Sequence, residues 1–203
     1  MIGTIEMLRN DIRSWDRGRI FYIEEFTSYE SQWSVRFGLG QLVDEGLILR
    51  LARGIYCYPH LSEGYSPHHI IPTEESIAES LAQREHVRII PYGDQAARKL
   101  GLNSIVVSHL KYLTDGSPRV INLSNGRKIY FNHTSEVKMF DFCNETMQLV
   151  SAAIRVLKPE LIGEEQRRII HSHLRTVPDK EFHKDLKIPP AWVQEIILDI
   201  WNN

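Results

Sequence analysis

The feature that most constrains this chain is a β-hairpin that follows directly on a helix within the first 60 residues. Two runs with alternating or β-branched side chains, Leu47–Arg53 and Ile55–Tyr58, flank a single glycine, Gly54. Glycine adopts the backbone angles that a tight reversal requires, so the two runs are predicted to pair as antiparallel strands. The interpretation of the N-terminal region then depends on what precedes this hairpin.

A helix is predicted immediately before the hairpin. Ser31 can accept hydrogen bonds from the free amides of a helix start, and Gly46 is suited to end the helix. Gly38 and Gly40 lower the helix propensity and permit close approach of DNA or of another helix. Apolar residues recur between the two ends at helical spacing and predict one buried stripe, formed by Val35, Leu39, Leu42 and Val43.

Three further elements precede this helix. Apolar residues at spacings of three and four predict a first helix over residues 2–14. A β-branched and aromatic run predicts a strand at Arg19–Ile23, and a short helix is expected at Glu24–Tyr29. The order helix, strand, helix, helix and hairpin is typical of a winged helix-turn-helix, whose third helix usually enters a groove of DNA. We therefore predict such a domain over residues 1–60.

The rest of the chain is predicted to form a second domain. Residues 59–72 are rich in Pro, Gly, Ser and His, a composition that indicates a linker, and residues 73–203 follow it. Asn125–Gly126 is the strongest hairpin signal of the sequence. Strands are predicted at Val87–Pro91, Ile105–Leu113, Arg119–Leu123 and Arg127–Asn132, and helices at Thr73–Glu85, Gly93–Leu100, Phe140–Leu157, Glu164–Leu174, Phe182–Leu186 and Trp192–Trp201. The predicted fold class is α+β: a winged helix-turn-helix, then a mixed α/β domain with a helical C-terminal region.

Charge and apolar content exclude several classes of protein. Lys and Arg number 24 against 26 Asp and Glu, a formal net charge of -2, which excludes a broadly basic coat for nucleic acid. No apolar run approaches the roughly 18 residues that cross a bilayer, and Glu6 and Asp11 interrupt the apolar pattern of the N-terminus. Cys57 and Cys143 are too few for a disulfide framework. We therefore expect a cytoplasmic protein with no signal peptide and no membrane contact.

No residue pattern typical of an enzyme occurs in the sequence. His171 and His173 stand two residues apart, which on a helix turns their rings about 200° from each other and prevents a shared metal ion. Gly116–Ser117 lacks the paired carboxylates roughly ten residues later that a nucleotidyltransferase uses to hold Mg²⁺. P-loop, nucleophile-elbow and dinucleotide motifs are also missing. We predict a chain without catalytic activity, metal or cofactor; a hydrolase built around the histidines, which include His68–His69, is an alternative.

The face of the third helix opposite its buried stripe carries candidate DNA contacts. That face presents Trp33, Ser34, Phe37 and Gln41, and its flanks present Gln32 and Arg36. Arginine can bind guanine through two hydrogen bonds, and glutamine can pair with adenine. In the hairpin, Arg50 and Arg53 are expected on one side, where a wing contacts phosphates. The predicted DNA-binding residues are Ser31, Gln32, Ser34, Arg36, Gln41, Arg50 and Arg53.

Two alternatives stay open for these residues. Trp33 and Phe37 can instead be core residues packed on the first helix or on the second domain. The hairpin arginines can instead pair with Asp44 or Glu45. A second basic face, which would contact DNA or an acidic protein surface, is predicted at Arg98, Lys99, Arg127 and Lys128.

Three segments carry a resemblance to a known family. The run Leu39–Pro59 includes Leu-Val-Asp-Glu-Gly-Leu-Ile-Leu-Arg-Leu-Ala-Arg-Gly-Ile-Tyr, which resembles the winged-helix segment of AbiEi-type antitoxins. Residues Tyr92–Leu102, with Ala-Ala-Arg-Lys-Leu-Gly-Leu, and Tyr112–Ser117, with Tyr-Leu-Thr-Asp-Gly, are similar to second-domain segments of that family. The resemblance covers about residues 1–135, and the motifs in this order are more specific than the first alone.

This resemblance implies the antitoxin of a type IV toxin-antitoxin pair. The winged helix of such a protein binds operator DNA and represses its own operon. The second domain contributes to neutralising a nucleotidyltransferase-like toxin, which is then a functional partner. The alternative from another class is a non-catalytic adaptor that keeps a winged-helix fold for protein contact and uses Trp33 and Phe37.

Overall fold

The structure is a computed structural model that describes residues 3–29, 31–64, 68–102, 109–157, 159 and 162–203. The chain packs as two compact units: residues 1–81 with 121–128 form the first, and residues 82–120 with 129–203 form the second. Helices and strands occur in both units. The chain is thus a mixed α/β protein, which confirms the predicted α+β class at that level.

The first unit combines helices with a small antiparallel sheet. Its helices are α1 (Thr4–Arg13), α2 (Gln32–Asp44) and most of α3 (Glu74–Arg84), whose last three residues belong to the second unit, with a 3-10 helix at Ile23–Phe26. Its strands are β1 (Ile20–Tyr22), β2 (Leu49–Ala52), β3 (Ile55–Cys57), β4 (His60–Leu61) and β5 (His69–Ile70). The first three strands form a sheet in the order β1-β3-β2, and β4 pairs with β5. The predicted hairpin between residues 47 and 58 is therefore confirmed as the β2–β3 pair.

Local signals account for the ends of α2 and of the hairpin. The Ser31 hydroxyl accepts a hydrogen bond from the Ser34 amide at 3.2 Å, as expected of a residue that caps a helix start. Gly54 has φ +76°, which places the hairpin turn in the backbone region that glycine tolerates. The predicted helix at 24–29 is instead the 3-10 helix, because the Glu25 carboxylate accepts the Tyr22 amide at 2.7 Å and ties the turn to its own start.

The core of the first unit lies between α1, α2 and the sheet. It consists of Leu8, Ile12, Phe21, Phe26, Val35, Leu39, Leu42, Ile48, Tyr56 and Tyr58. Three of the four residues of the predicted α2 stripe belong to this cluster, and Val43 packs on its edge. The helical pattern of α1 is confirmed from Thr4 onward, whereas Ile2 lies outside the described residues.

The predicted linker contains ordered pairing. His60 pairs with Ile70 and Leu61 with His69 in an antiparallel ladder, and residues 65–67 lie outside the described part of the chain. Thr73 then caps α3, with its hydroxyl accepting the Ser76 amide at 3.1 Å. A boundary between domains at residues 59–72 stays a prediction.

The second unit combines a sheet with a helical bundle. Its sheet has the order β6-β7-β9-β8, with β6 antiparallel and β9 parallel to β7. The strands are β6 (Ile89–Pro91), β7 (Leu110–Thr114), β8 (Arg119–Asn122) and β9 (Lys128–His133); the last two residues of β8 and the first residue of β9 are counted with the first unit. The helices are α4 (Asp94–Lys99), α5 (Glu145–Leu157), α6 (Glu164–Leu174), α7 (Asp179–Asp185) and α8 (Ala191–Asn202), with a 3-10 helix at Val137–Phe140. The helices enclose an apolar core to which α4, α5, α6, α7 and α8 all contribute.

Two predicted elements of the second unit differ at their ends. The strand predicted from Ile105 is described from Leu110 onward, and residues 105–108 lie outside the described part. The helix predicted from Phe140 starts at Glu145 instead. The reason is that the Asn144 side chain accepts the amides of Thr146 and Met147 and so caps the helix start, while the Asp185 carboxylate accepts the amides of Cys143 and Asn144 just before it.

In the described part of the chain, no helix is both long and apolar enough to cross a bilayer.

Candidate nucleic-acid interface

A cavity of about 580 Å³ separates α2 from the β2–β3 hairpin in the first unit. Arginine side chains from both elements reach it: Arg36 from α2, and Arg50 and Arg53 from the hairpin. The remaining wall is formed by Ile23, Glu24, Gly40, Val43, Asp44, Gly54 and Tyr56. Three of the predicted DNA-binding residues, one from the helix and two from the hairpin, thus line one concave surface.

These three arginines differ from the seven arginines of the described residues for which an ion pair is seen. Each is exposed, and within the described ranges none of them forms an ion pair with a carboxylate. Arginines elsewhere are engaged, for example Arg88 with Asp115 at 2.8 Å. An arginine without a carboxylate partner keeps all five of its N–H donors available for a phosphate or a guanine edge.

A register shift explains why Arg50 and Arg53 share the cavity. On a regular strand, residues three apart point to opposite faces. The pairing of β2 with β3 shifts between Arg50 and Ala52, which is the mark of a β-bulge. Arg53 follows the last residue of β2 and lies in the turn, so the two arginines reach the same cavity across a bulge and a turn and not through regular alternation.

Glu45, one of the acids considered as partner of the hairpin arginines, is bound elsewhere. Its carboxylate accepts two hydrogen bonds from Arg9 on α1, at 2.5 and 3.1 Å. This guanidinium lowers the pKa of Glu45 below its usual range. Asp44 lines the cavity, yet no ion pair joins it to Arg50 or Arg53 among the described residues.

The other predicted contacts on α2 divide between local structure and a second groove. The Ser31 hydroxyl caps the start of α2, and Nε2 of the Gln32 side chain donates to the Phe26 carbonyl at 3.1 Å. Ser34 and Gln41 line a groove of about 490 Å³ between α1 and α2, away from the arginine cavity. The structure therefore does not bring all seven predicted residues to one site.

Trp33 and Phe37 lie on the rim of that second groove and are not core residues of the first unit. The exposed fraction is 73% for Trp33 and 52% for Phe37. Their rings stack on each other, with centroids 5.6 Å apart and planes 7° from parallel. The aromatic face of α2 is thus open to solvent and held in one arrangement by stacking.

The predicted second basic face is distributed over both units. Arg127 belongs to the first unit, where its Nε donates to the Glu74 carboxylate at 3.0 Å. Lys128 is also grouped with the first unit, whereas Arg98 and Lys99 lie on α4 in the second. A common face formed by all four stays a prediction.

His173 and His68 lie at hydrogen-bond distance from other groups of the protein, and Cys57 is buried. His173 Nε2 lies 3.0 Å from the Leu100 carbonyl, and His68 Nδ1 lies 2.8 Å from the Ser62 hydroxyl. Within the described residues, no three His, Cys, Asp or Glu side chains lie close enough together to hold a metal ion. Burial raises the pKa of the Cys57 thiol to about 11, which keeps it protonated at neutral pH.

One support of the interface was missed by the sequence analysis. The turn that contains the predicted Asn125–Gly126 signal packs on the outer edge of β2. There the Ser124 amide donates to the Leu51 carbonyl at 2.8 Å, and its hydroxyl donates to the Arg50 carbonyl at 2.7 Å. These bonds fix the backbone of the strand that carries Arg50, and no local pattern predicts them because the partners are 74 residues apart.

Comparison with known proteins gave one family match. The sequence profile of a family of unknown function, DUF6088, matches residues 7–182, which include the whole arginine cavity and most of the helical region. No curated protein matches the sequence.

Proposed function

Because the chain belongs to DUF6088, a family of unknown function, we propose its role from the geometry of its first unit: a DNA-binding transcriptional autorepressor. In this proposal the first unit is a winged helix-turn-helix. The 3-10 helix and α2 form the helix-turn-helix, α2 enters the major groove, and the β2–β3 hairpin is the wing. One observation carries the proposal: Arg36, Arg50 and Arg53 line the same cavity, and none of them has a carboxylate partner among the described residues.

Charge and shape both support this assignment. The two elements that meet at the cavity are a helix and a hairpin, which in winged helices contact the groove and the phosphate backbone respectively. Guanidinium groups bind phosphates through paired hydrogen bonds, and the three arginines stand in a unit whose other charged residues are mostly acidic. Affinity would therefore come from few contacts and would depend on salt.

The resemblance to AbiEi-type antitoxins extends the proposal to a partner. We infer that the protein also counteracts a nucleotidyltransferase-like toxin encoded beside it, as a non-catalytic antitoxin. Support comes from the segments Leu39–Pro59, Tyr92–Leu102 and Tyr112–Ser117. The test is co-expression: cells that produce the neighbouring nucleotidyltransferase should regain growth when this chain is present, and continued growth arrest would contradict the antitoxin role.

Binding to the DNA upstream of its own gene tests the repressor role. The full chain is titrated into a labelled duplex of that region, and binding is followed by fluorescence anisotropy at several salt concentrations. We expect salt-dependent binding that is lost in a double variant, Arg36→Ala with Arg53→Ala. Arg168→Ala is the matched control, since Arg168 is an exposed arginine of α6 without an ion pair in the described ranges. Absence of binding, or an equal loss in the control, would contradict the proposal.

A second candidate function is favoured by the aromatic face of α2. Trp33 and Phe37 are large apolar side chains on the surface, and exposed aromatics are enriched in protein interfaces. A non-catalytic adaptor would use this face for a protein partner. Such a protein would show no DNA affinity at moderate salt and would co-purify with its partner through Trp33.

A further inference from the structure

The stacked pair of Trp33 and Phe37 is the largest apolar feature on the exposed side of α2. Their rings lie nearly parallel, 7° apart, and more than half of each side chain is exposed. The pair occupies the first two turns of the helix, beside Arg36 on the same helix. Two exposed aromatic rings stacked on each other form an apolar patch of the kind that marks an interaction site.

The composition of this face restricts the ligand. Neither ring offers a hydrogen-bond acceptor, and the Trp33 indole N–H is its only donor. In the major groove of DNA, the one apolar group on a base edge is the 5-methyl of thymine. A helix of about 10–12 Å diameter fills a major groove about 12 Å wide, which brings residues at the centre of its exposed face to the base edges.

Continuity with the arginine cavity favours DNA over another ligand. Arg36 lies one position before Phe37 and faces the cavity that also holds Arg50 and Arg53. A duplex bound to these arginines by its phosphates presents base edges to the neighbouring helix face. The charges that complement a phosphate backbone and the apolar pair that complements a base methyl therefore lie on adjoining surfaces of one helix.

We propose that Trp33 and Phe37 contact the 5-methyl groups of thymines in the major groove, and that the protein thereby prefers thymine-containing duplex DNA to the same sequence with uracil. The inference rests on the proposed DNA-binding function. It adds that sequence preference comes in part from apolar contacts and not from hydrogen bonds alone. The removal of one buried methyl contact should weaken binding about fourfold, the effect of ~0.8 kcal/mol per buried methylene.

The test compares two duplexes of the region upstream of the gene, one with thymidine and one with deoxyuridine at every such position. Both are titrated with the full chain, with Trp33→Ala, with Phe37→Ala and with the double variant. Trp192→Ala is the matched control, since Trp192 lies on α8 in the second unit and is 40% exposed. Thermal unfolding and sedimentation of each variant accompany the titrations.

The proposal expects the wild-type chain to bind the thymine duplex at least about fourfold more tightly than the uracil duplex. This ratio should approach one in the double variant and stay unchanged in the Trp192 control. Binding to both duplexes with equal affinity, or a ratio that survives in the double variant, would overturn the thymine contact while leaving DNA binding in place. A wild-type dimer that the double variant converts to a monomer, with DNA affinity unchanged, would assign the face to a second copy and overturn the proposal. Failure to bind either duplex would contradict the proposed function itself.

Discussion

Arg9 on α1 binds the carboxylate of Glu45, at the end of α2, through two hydrogen bonds of 2.5 and 3.1 Å. Such a two-point contact fixes the direction of both side chains. It joins two helices that pack closely in the first unit. It also removes Glu45 from the acids that could neutralise the hairpin arginines, so the pair supports both the packing of α2 and the positive character of its cavity.

The Arg9–Glu45 pair predicts a pH dependence of stability. The guanidinium lowers the pKa of Glu45 in the folded state, so folding favours the charged carboxylate. The contribution is fully present above the unfolded pKa of about 4.3 and is lost as the pH falls through the lower folded value. We expect Glu45→Gln to unfold at lower urea concentration than wild type at pH 7, and the difference to shrink below about pH 4.3.

A control separates this effect from general acid unfolding. Glu195 is an exposed residue of α8 and takes part in none of the ion pairs of the described residues. Glu195→Gln should leave the urea midpoint close to that of wild type at both pH values. A Glu45→Gln deficit that does not shrink in acid would mean that the pair does not act through the carboxylate charge.

Two glycines of α2 should respond in opposite ways to alanine. A methyl added at Gly38 would lie 2.7 Å from Leu8 Cδ1, whereas one added at Gly40 meets nothing within 4 Å. Alanine is favoured over glycine in a helix interior by about 1 kcal/mol. We therefore expect Gly40→Ala to raise the free energy of unfolding by about 0.5–1 kcal/mol, and Gly38→Ala to lower it.

Urea unfolding followed by circular dichroism measures both variants, and each serves as the control of the other. An increase in stability for Gly38→Ala would show that Leu8 moves aside without loss of packing. A lower free energy of unfolding for Gly40→Ala would show that the cavity wall has no room for a methyl group at that position.

Asp185 should stabilise the segment that leads into α5. Its buried carboxylate accepts the amides of Cys143 at 3.0 Å and Asn144 at 2.8 Å, and the Cys143 thiol at 3.0 Å. Asp185→Ala removes the acceptor of these donors from the buried side of the contact, so we expect it to lower the free energy of unfolding. The carboxylate also raises the pKa of the Cys143 thiol, so its removal should speed alkylation of Cys143 by iodoacetamide at pH 8.

Peptide mass spectrometry measures the alkylation of each cysteine separately. Cys57 is the internal control, because it is buried and far from this contact in the chain, and its labelling should stay slow in the folded variant. Faster labelling of both cysteines would indicate global unfolding. Unchanged labelling of Cys143 in a folded variant would contradict the role of the Asp185 charge.

The elements of the first unit could be predicted because their signals are local. Ser31 begins α2 and Gly54 turns the hairpin, and each acts on amides or backbone angles within three residues of itself. The apolar stripe of α2 could likewise be predicted, since helical spacing alone decides which side chains share a face.

The arrangement of the candidate site could be predicted only in part. Arg36, Arg50 and Arg53 were identified from residue type and position, but the bulge between the two hairpin arginines leaves no signal in the sequence. The Arg9–Glu45 pair and the Ser124 bonds to β2 join residues 36 and 74 positions apart. Such contacts depend on how whole elements pack, and a local pattern carries no information about their partners.

The salt dependence of DNA affinity should report how many of the three cavity arginines contact phosphates. Each phosphate contact contributes about 0.9 to the slope of log K against log salt concentration. We expect a shallow slope for the full chain. Each of the variants Arg36→Ala, Arg50→Ala and Arg53→Ala should reduce the slope by about 0.9 if the arginine it removes contacts a phosphate. Arg53→Lys is the matched control, because lysine keeps the charge and should keep the slope while losing the two-point geometry. A steep slope that survives all three alanine substitutions would mean that other cations, such as Lys99 on α4, supply the phosphate contacts.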